Sequence, residues 1–121
     1  MTAEHEIQSK IMLAVSKHNC LIARTNVGKR KTIDGRWFNA GPPPGWPDLT
    51  GCKYDNGKIF FIECKNETGK PRDVQIKFHR LLQKHNIIHG IARSVDDALK
   101  IIDKELVGYG FEKYDWPQTN D

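Results

Sequence analysis

The chain has 121 residues, 38% hydrophobic and 28% charged, which is enough for one packed core and too apolar for a disordered chain. Nineteen Lys and Arg against fifteen Asp and Glu leave a net charge of +4, which permits an anionic partner without requiring one. No run approaches about 18 apolar residues, so no membrane span is expected, and the polar start MTAEHEIQSK lacks a secretory apolar segment, so a cytoplasmic location is expected.

Residues 3–18 are expected to form a helix, with Ile7, Ile11 and Val15 at helical spacing and Glu4 and Glu6 in its first turn. Residues 20–26 suit a strand. A basic stretch follows from Gly28 to Asn39, centred on Asp34-Gly35, which predicts a two-residue hairpin turn. The run Gly41-Pro42-Pro43-Pro44-Gly45 fits neither helix nor central strand and predicts a stiff surface loop leading into Trp46-Pro47-Asp48. Leu49–Tyr54 and Lys58–Lys65 read as strands joined at Asn56-Gly57. A second helix is expected over about 72–85, with Val74, Phe78, Leu81 and Leu82 on its apolar face. Residues 87–93 read as a short strand, and Ser94 caps a last helix reaching Leu106. The reading is one α/β domain over 1–106, a mixed sheet flanked by helices, followed by a C-terminal tail over 107–121. Cys20, Cys52 and Cys64 lack zinc-site spacing and are expected to be free, buried thiols. The five histidines show no metal-ligand spacing either.

One group of residues carries chemistry. Glu63 and Lys65 sit two apart on a strand and so share a face. Folding the 48–54 and 58–65 segments against each other about Asn56-Gly57 brings Asp48 back to Glu63 or Lys65. The intervening Ile59, Phe60, Phe61 and Ile62 are apolar on both faces, which predicts a central strand with polar residues at its end. Two carboxylates there repel each other unless a cation intervenes, and hard all-oxygen ligands suit Mg²⁺ or Mn²⁺. Each fragment alone is also what a surface salt bridge looks like.

Gly45-Trp46-Pro47-Asp48 followed by Ile62-Glu63-Cys64-Lys65 resembles the PD-(D/E)XK nuclease signature. It is closest to the VRR-NUC branch in its small stand-alone phage or prophage form. Glu4 with Gln8 resembles that branch's first helix, Gln75 with Phe78 and Leu82 its helix after the Lys, and residues 90–98 its last strand and helix. The resemblance implies a restriction-endonuclease-like fold, an α-β-β-β-α-β core with the basic hairpin inserted. It implies metal-dependent DNA endonuclease activity, possible selectivity for branched DNA in the manner of Holliday-junction resolvases, and a homodimer. Asp48 and Glu63 become Mg²⁺ or Mn²⁺ ligands, Lys65 the catalytic lysine, and Gln75 a supporting residue. Glu4 completes the metal site, directly or through water. Glu4 and Glu6 point about 200° apart on a helix, and Glu4 is the one that shares a face with Gln8. Lys29, Arg30, Lys31 and Arg36 are the expected DNA contacts, and Trp37, Phe38 and Trp46 either stack on bases or pack locally. The competing reading is a nucleic-acid-binding module whose acidic site no longer cleaves.

Overall fold

The computed structural model describes residues 3–26 and 29–115. The side chains of Lys29, Arg30 and Asn39 lie outside that description. Helix α1 (Glu4–Ser16) leads into strand β1 (Cys20–Arg24), then β2 (Lys29–Lys31), β3 (Trp37–Asn39), β4 (Leu49–Lys53) and β5 (Ile59–Cys64). Helix α2 (Asp73–Lys84), strand β6 (Ile88–Ala92), helix α3 (Val95–Asp103), strand β7 (Val107–Tyr109) and a short 3-10 turn at Glu112–Tyr114 complete the described chain. Among the described residues no helix is long and apolar enough to cross a membrane.

Five strands form one sheet in the order β1-β4-β5-β6-β7. The β1–β4 and β4–β5 pairs are antiparallel, and β5–β6 and β6–β7 are parallel. Strand β5 lies in the middle, as its two-sided apolarity requires. Alternation along β5 sends Phe60, Ile62 and Cys64 to one face, where Ile7, Ile11 and Val15 of α1 and Ile101 and Ile102 of α3 bury them. Phe61 faces the other way, against Trp46 and Phe78 of α2. Gly51 on β4 is the cross-strand partner of Phe60, whose ring lies against it. A Cβ at Gly51 would stand 2.5 Å from that ring and 2.2 Å from the Leu21 carbonyl, so only glycine fits. Glu105 fastens the far end, accepting from Lys53 at 2.9 Å and Lys58 at 2.8 Å. These two ammonium groups, Lys58 foremost, hold its carboxyl down at about 2.

Several expectations need correction. The basic hairpin closes with Thr32 N donating to Arg36 O at 2.7 Å, which leaves three loop residues instead of two. Gly35, at φ +90°, takes the left-handed position that this loop demands. The β4–β5 connection has four loop residues, with Lys53 N donating to Lys58 O at 2.9 Å across its base. On α2 the buried residues are Gln75, His79 and Leu82, while Val74 and Leu81 are exposed. Helix α3 ends at Asp103, short of Leu106. Cys20 and Cys64 are buried free thiols, but Cys52 is only half-buried. The domain does not stop at 106: β7 joins the sheet and Phe111 is buried. Residues 116–121 of the expected tail lie outside the described residues.

Candidate active site

The β4–β5 register pairs Leu49 with Ile62, so one step further places Asp48 opposite Glu63 on the face that α2 covers. The Pro-rich loop delivers Asp48 there because Trp46 anchors it. The Trp46 ring lies 5.0 Å from Phe78 and 5.6 Å from Phe61, and its Nε1 donates to Thr50 Oγ1 at 3.2 Å. The Asp48 carbonyl accepts from Thr25 N at 2.9 Å and Asn26 N at 3.4 Å, and its Oδ2 accepts from Cys64 N at 3.0 Å. Asp48 is therefore fixed at both backbone and side chain.

Glu63 is 2% exposed, and its Oε1 is buried without a hydrogen-bond partner among the described residues. Burial pushes its carboxyl far above the usual carboxylate range. Asp48 raises it further by hydrogen bond and by charge, and Lys65 and Arg72 offset only part of this. The same surroundings, burial first and the Asp48 charge next, push the Cys64 thiol up, so it is an inert core group. Lys65 is 7% exposed, its backbone N donates to Ala92 O at 3.2 Å, and its Nζ lies 4.0 Å from Glu4 Oε1. Glu4 opens α1, so the helix brings a carboxylate to the end of β5. The 66–69 turn backs onto this pair: a Cβ at Gly69 would stand 3.0 Å from Glu4 Oε2 and 3.3 Å from Lys65 Cδ. Arg93 holds that turn by donating to the carbonyls of Asn66 and Gly69.

A scan of protein-family models finds none that matches, and no curated protein matches either. A solved structure described as "VRR_NUC domain" superposes with a TM-score of 0.60 at 22% identity, covering 88% of this chain and 100% of that one. The chain has the fold of a VRR_NUC domain.

On this VRR_NUC fold the structure brings Asp48, Glu63, Lys65 and Glu4 to one end of the sheet. They do not close into one cage, since among the described residues no three His, Cys, Asp or Glu side chains meet as a metal-holding group. Asp48 and Glu63 face each other, and Glu4 faces Lys65. Gln75 is buried, its Oε1 accepts from Arg72 N at 2.8 Å, and it lines a small cavity with Glu63 and Pro47. Gln8 accepts from Arg24 Nε.

The basic residues divide. Lys31 is exposed, with its Nζ 5.7 Å from the Trp37 ring centre, and Arg36 pairs with Asp34 at 3.0 Å. Lys29 and Arg30 lie on β2, opposite Asn39 and Phe38.

Sequence reasoning missed Arg72, whose charge acts on Glu63. It also missed a buried chain behind the site, in which His89 Nδ1 meets the Ile87 carbonyl at 2.8 Å, His89 Nε2 meets His79 Nδ1 at 2.7 Å, and His79 Nε2 meets Asp115 at 2.9 Å. No local spacing signals it, because its members come from three elements up to 36 residues apart.

Proposed function

We propose that this chain is a metal-dependent endonuclease that hydrolyses phosphodiester bonds in DNA, using Asp48, Glu63 and Lys65. The observation that carries the reading is the buried, unpartnered Oε1 of Glu63 beside a second carboxylate. A buried carboxyl in that position is costly alone and well placed as a ligand. The donor set is hard oxygen from two side chains, which fits Mg²⁺ or Mn²⁺ with water and substrate oxygens completing the shell. Asp48 and Glu63 would hold the ion, and Glu4, which faces Lys65, would reach it through water. When bound, such an ion activates water and offsets charge on the scissile phosphate.

The chain's own residues supply the rest. Two backbone N–H groups hold the Asp48 carbonyl and a third, from Cys64, holds its Oδ2, so the carboxylate is placed without a reorganisation cost. Lys65 supplies a cation with three N–H donors where negative charge develops on the phosphate. Gln75, tied to Arg72 N, packs behind Glu63 and limits where its carboxyl can turn. Lys31 and Arg36, with Lys29 and Arg30, contact the DNA backbone, and a homodimer acting on branched DNA belongs to the same proposal. Labelled linear, gapped and branched DNAs incubated with Mg²⁺, Mn²⁺ or EDTA test it. Cleavage with either metal and none in EDTA is expected. Salt-sensitive binding with no cleavage on any of these DNAs would return the non-cleaving reading, and sedimentation velocity reads the dimer.

A further inference from the structure

We propose that the β2–β3 hairpin is a base-stacking arm, with Trp37 as its platform, that selects DNA carrying unpaired nucleotides beside the scissile phosphate. The inference rests on the nuclease reading and names its substrate class.

The hairpin forms a two-stranded sheet of its own and, among the described residues, is hydrogen-bonded to no strand of the main sheet. An isolated ribbon of this kind is marginal in water and normally keeps its surface polar. This one exposes Trp37 at 66% and Phe38 at 47%, with Ile33 fully exposed at its tip. Trp46 shows the contrast, since Phe61, Phe78 and Thr50 take up its ring and its N–H. The exposed aromatics stand in a cationic stretch: residues 29–39 hold Lys29, Arg30, Lys31 and Arg36 against a single acid, Asp34. An occupant must therefore offer flat π faces and negative charge together. Single-stranded nucleic acid does both, with bases on aromatics and phosphates on cations. A duplex offers only the phosphates, because its bases are stacked on one another.

The root of the arm sets where those bases lie. Thr25 N and Asn26 N, the last described residues before the hairpin, both donate to the Asp48 carbonyl. The arm therefore springs from the backbone of the catalytic carboxylate. Register pairs Trp37 with Lys31, so ring and ammonium share a face of the ribbon, while Phe38 faces the opposite way. That makes Trp37 the residue on which a base and its phosphate are held together.

The experiment titrates wild type, Trp37→Ala and Trp37→Phe with fully duplex and gapped DNA of equal length in EDTA buffer, then measures Mg²⁺-dependent cleavage of both. Trp37 is exposed, so both variants stay folded, which circular dichroism checks. Trp37→Ala is expected to weaken binding to gapped DNA about tenfold and to duplex less than about twofold, with Trp37→Phe keeping most of the affinity. Equal loss on both DNAs, or no loss on either, overturns the arm. A wild-type dimer that Trp37→Ala converts to monomer, with the gapped-to-duplex ratio unchanged, overturns it in favour of a second copy on the hairpin. Failure of the nuclease reading looks different: wild type then cleaves neither DNA, whatever residue stands at position 37.

Discussion

Glu63 is a carboxylic acid in a place that suits a carboxylate only when a cation is near. Without metal its raised pKa makes the folded protein hold a proton that the unfolded chain releases at about pH 4.3. The folded state then binds more protons than the unfolded state, so stability falls as pH rises from the unfolded value toward the raised one. Glu63→Gln removes this slope and is expected to stabilise the metal-free protein near pH 8 by about 2 kcal/mol, or roughly 5–10 °C in Tm. Thermal unfolding in EDTA at pH 5 and pH 8 measures it, and a variant less stable than wild type at pH 8 would contradict the account. Added Mn²⁺ is expected to reverse the order. Wild type gains about 2.7 kcal/mol at a hundred times Kd, and Asp48→Asn/Glu63→Gln gains nothing. This much was legible in the sequence, because a hairpin register is local. The turn signal and the alternation of side chains bring Asp48 back to Glu63 or Lys65, and only the four-residue loop, which no dipeptide signal announces, decides for Glu63. Arg72 was not legible, since its charge reaches Glu63 only through the way α2 packs.

At the scale of elements, α2 and β7 show why a hydrophobic pattern can mislead. Val74, Phe78 and Leu81 make the stronger apolar stripe, yet His79 turns inward to His89 and Gln75 lies buried beside Glu63. Strand β7 is three residues long, contains glycine and pairs in parallel with a distant strand, so nothing local announces it. The histidine chain ties these elements together. The Ile87 carbonyl can only accept, so His89 carries its proton on Nδ1. Burial holds His89 down at about 4, which keeps it neutral and leaves Nε2 as an acceptor. His79 must then donate from Nδ1, and its Nε2 meets both carboxylate oxygens of Asp115 at 2.9 Å. Phe111 stacks on the His79 ring at 4.0 Å. Asp115→Ala removes the partner of the buried His79 Nε2 and is expected to cost about 1–2 kcal/mol. Urea unfolding near pH 7 checks this. Truncation after Leu106 is expected to abolish cooperative unfolding altogether. His89 adds an acid limit: its stabilising contribution is intact above about pH 6.5 and is lost as pH falls through about 4.

At the scale of the whole molecule, a basic chain gathers Asp48, Glu63 and Glu4 at one end of its sheet and sends out a cationic hairpin after Asn26, whose N–H donates to the Asp48 carbonyl. If Lys29, Arg30, Lys31 and Arg36 grip phosphates, replacing all four with Ala flattens the plot of log K against log salt by roughly 0.9 for each phosphate no longer neutralised. About two or three phosphates are expected, since Arg36 already pairs with Asp34. An unchanged slope in EDTA titrations would make the hairpin's charge a solubility feature only. The central claim is that Asp48 and Glu63 form one metal-dependent hydrolytic site, and one assay tests it most directly. Purified wild type and Glu63→Gln, both shown to be folded by circular dichroism, are incubated with labelled DNA and Mn²⁺. Wild type is expected to cut and Glu63→Gln to lose at least about a hundredfold in rate while binding the DNA as before. Full cleavage by Glu63→Gln would contradict the account.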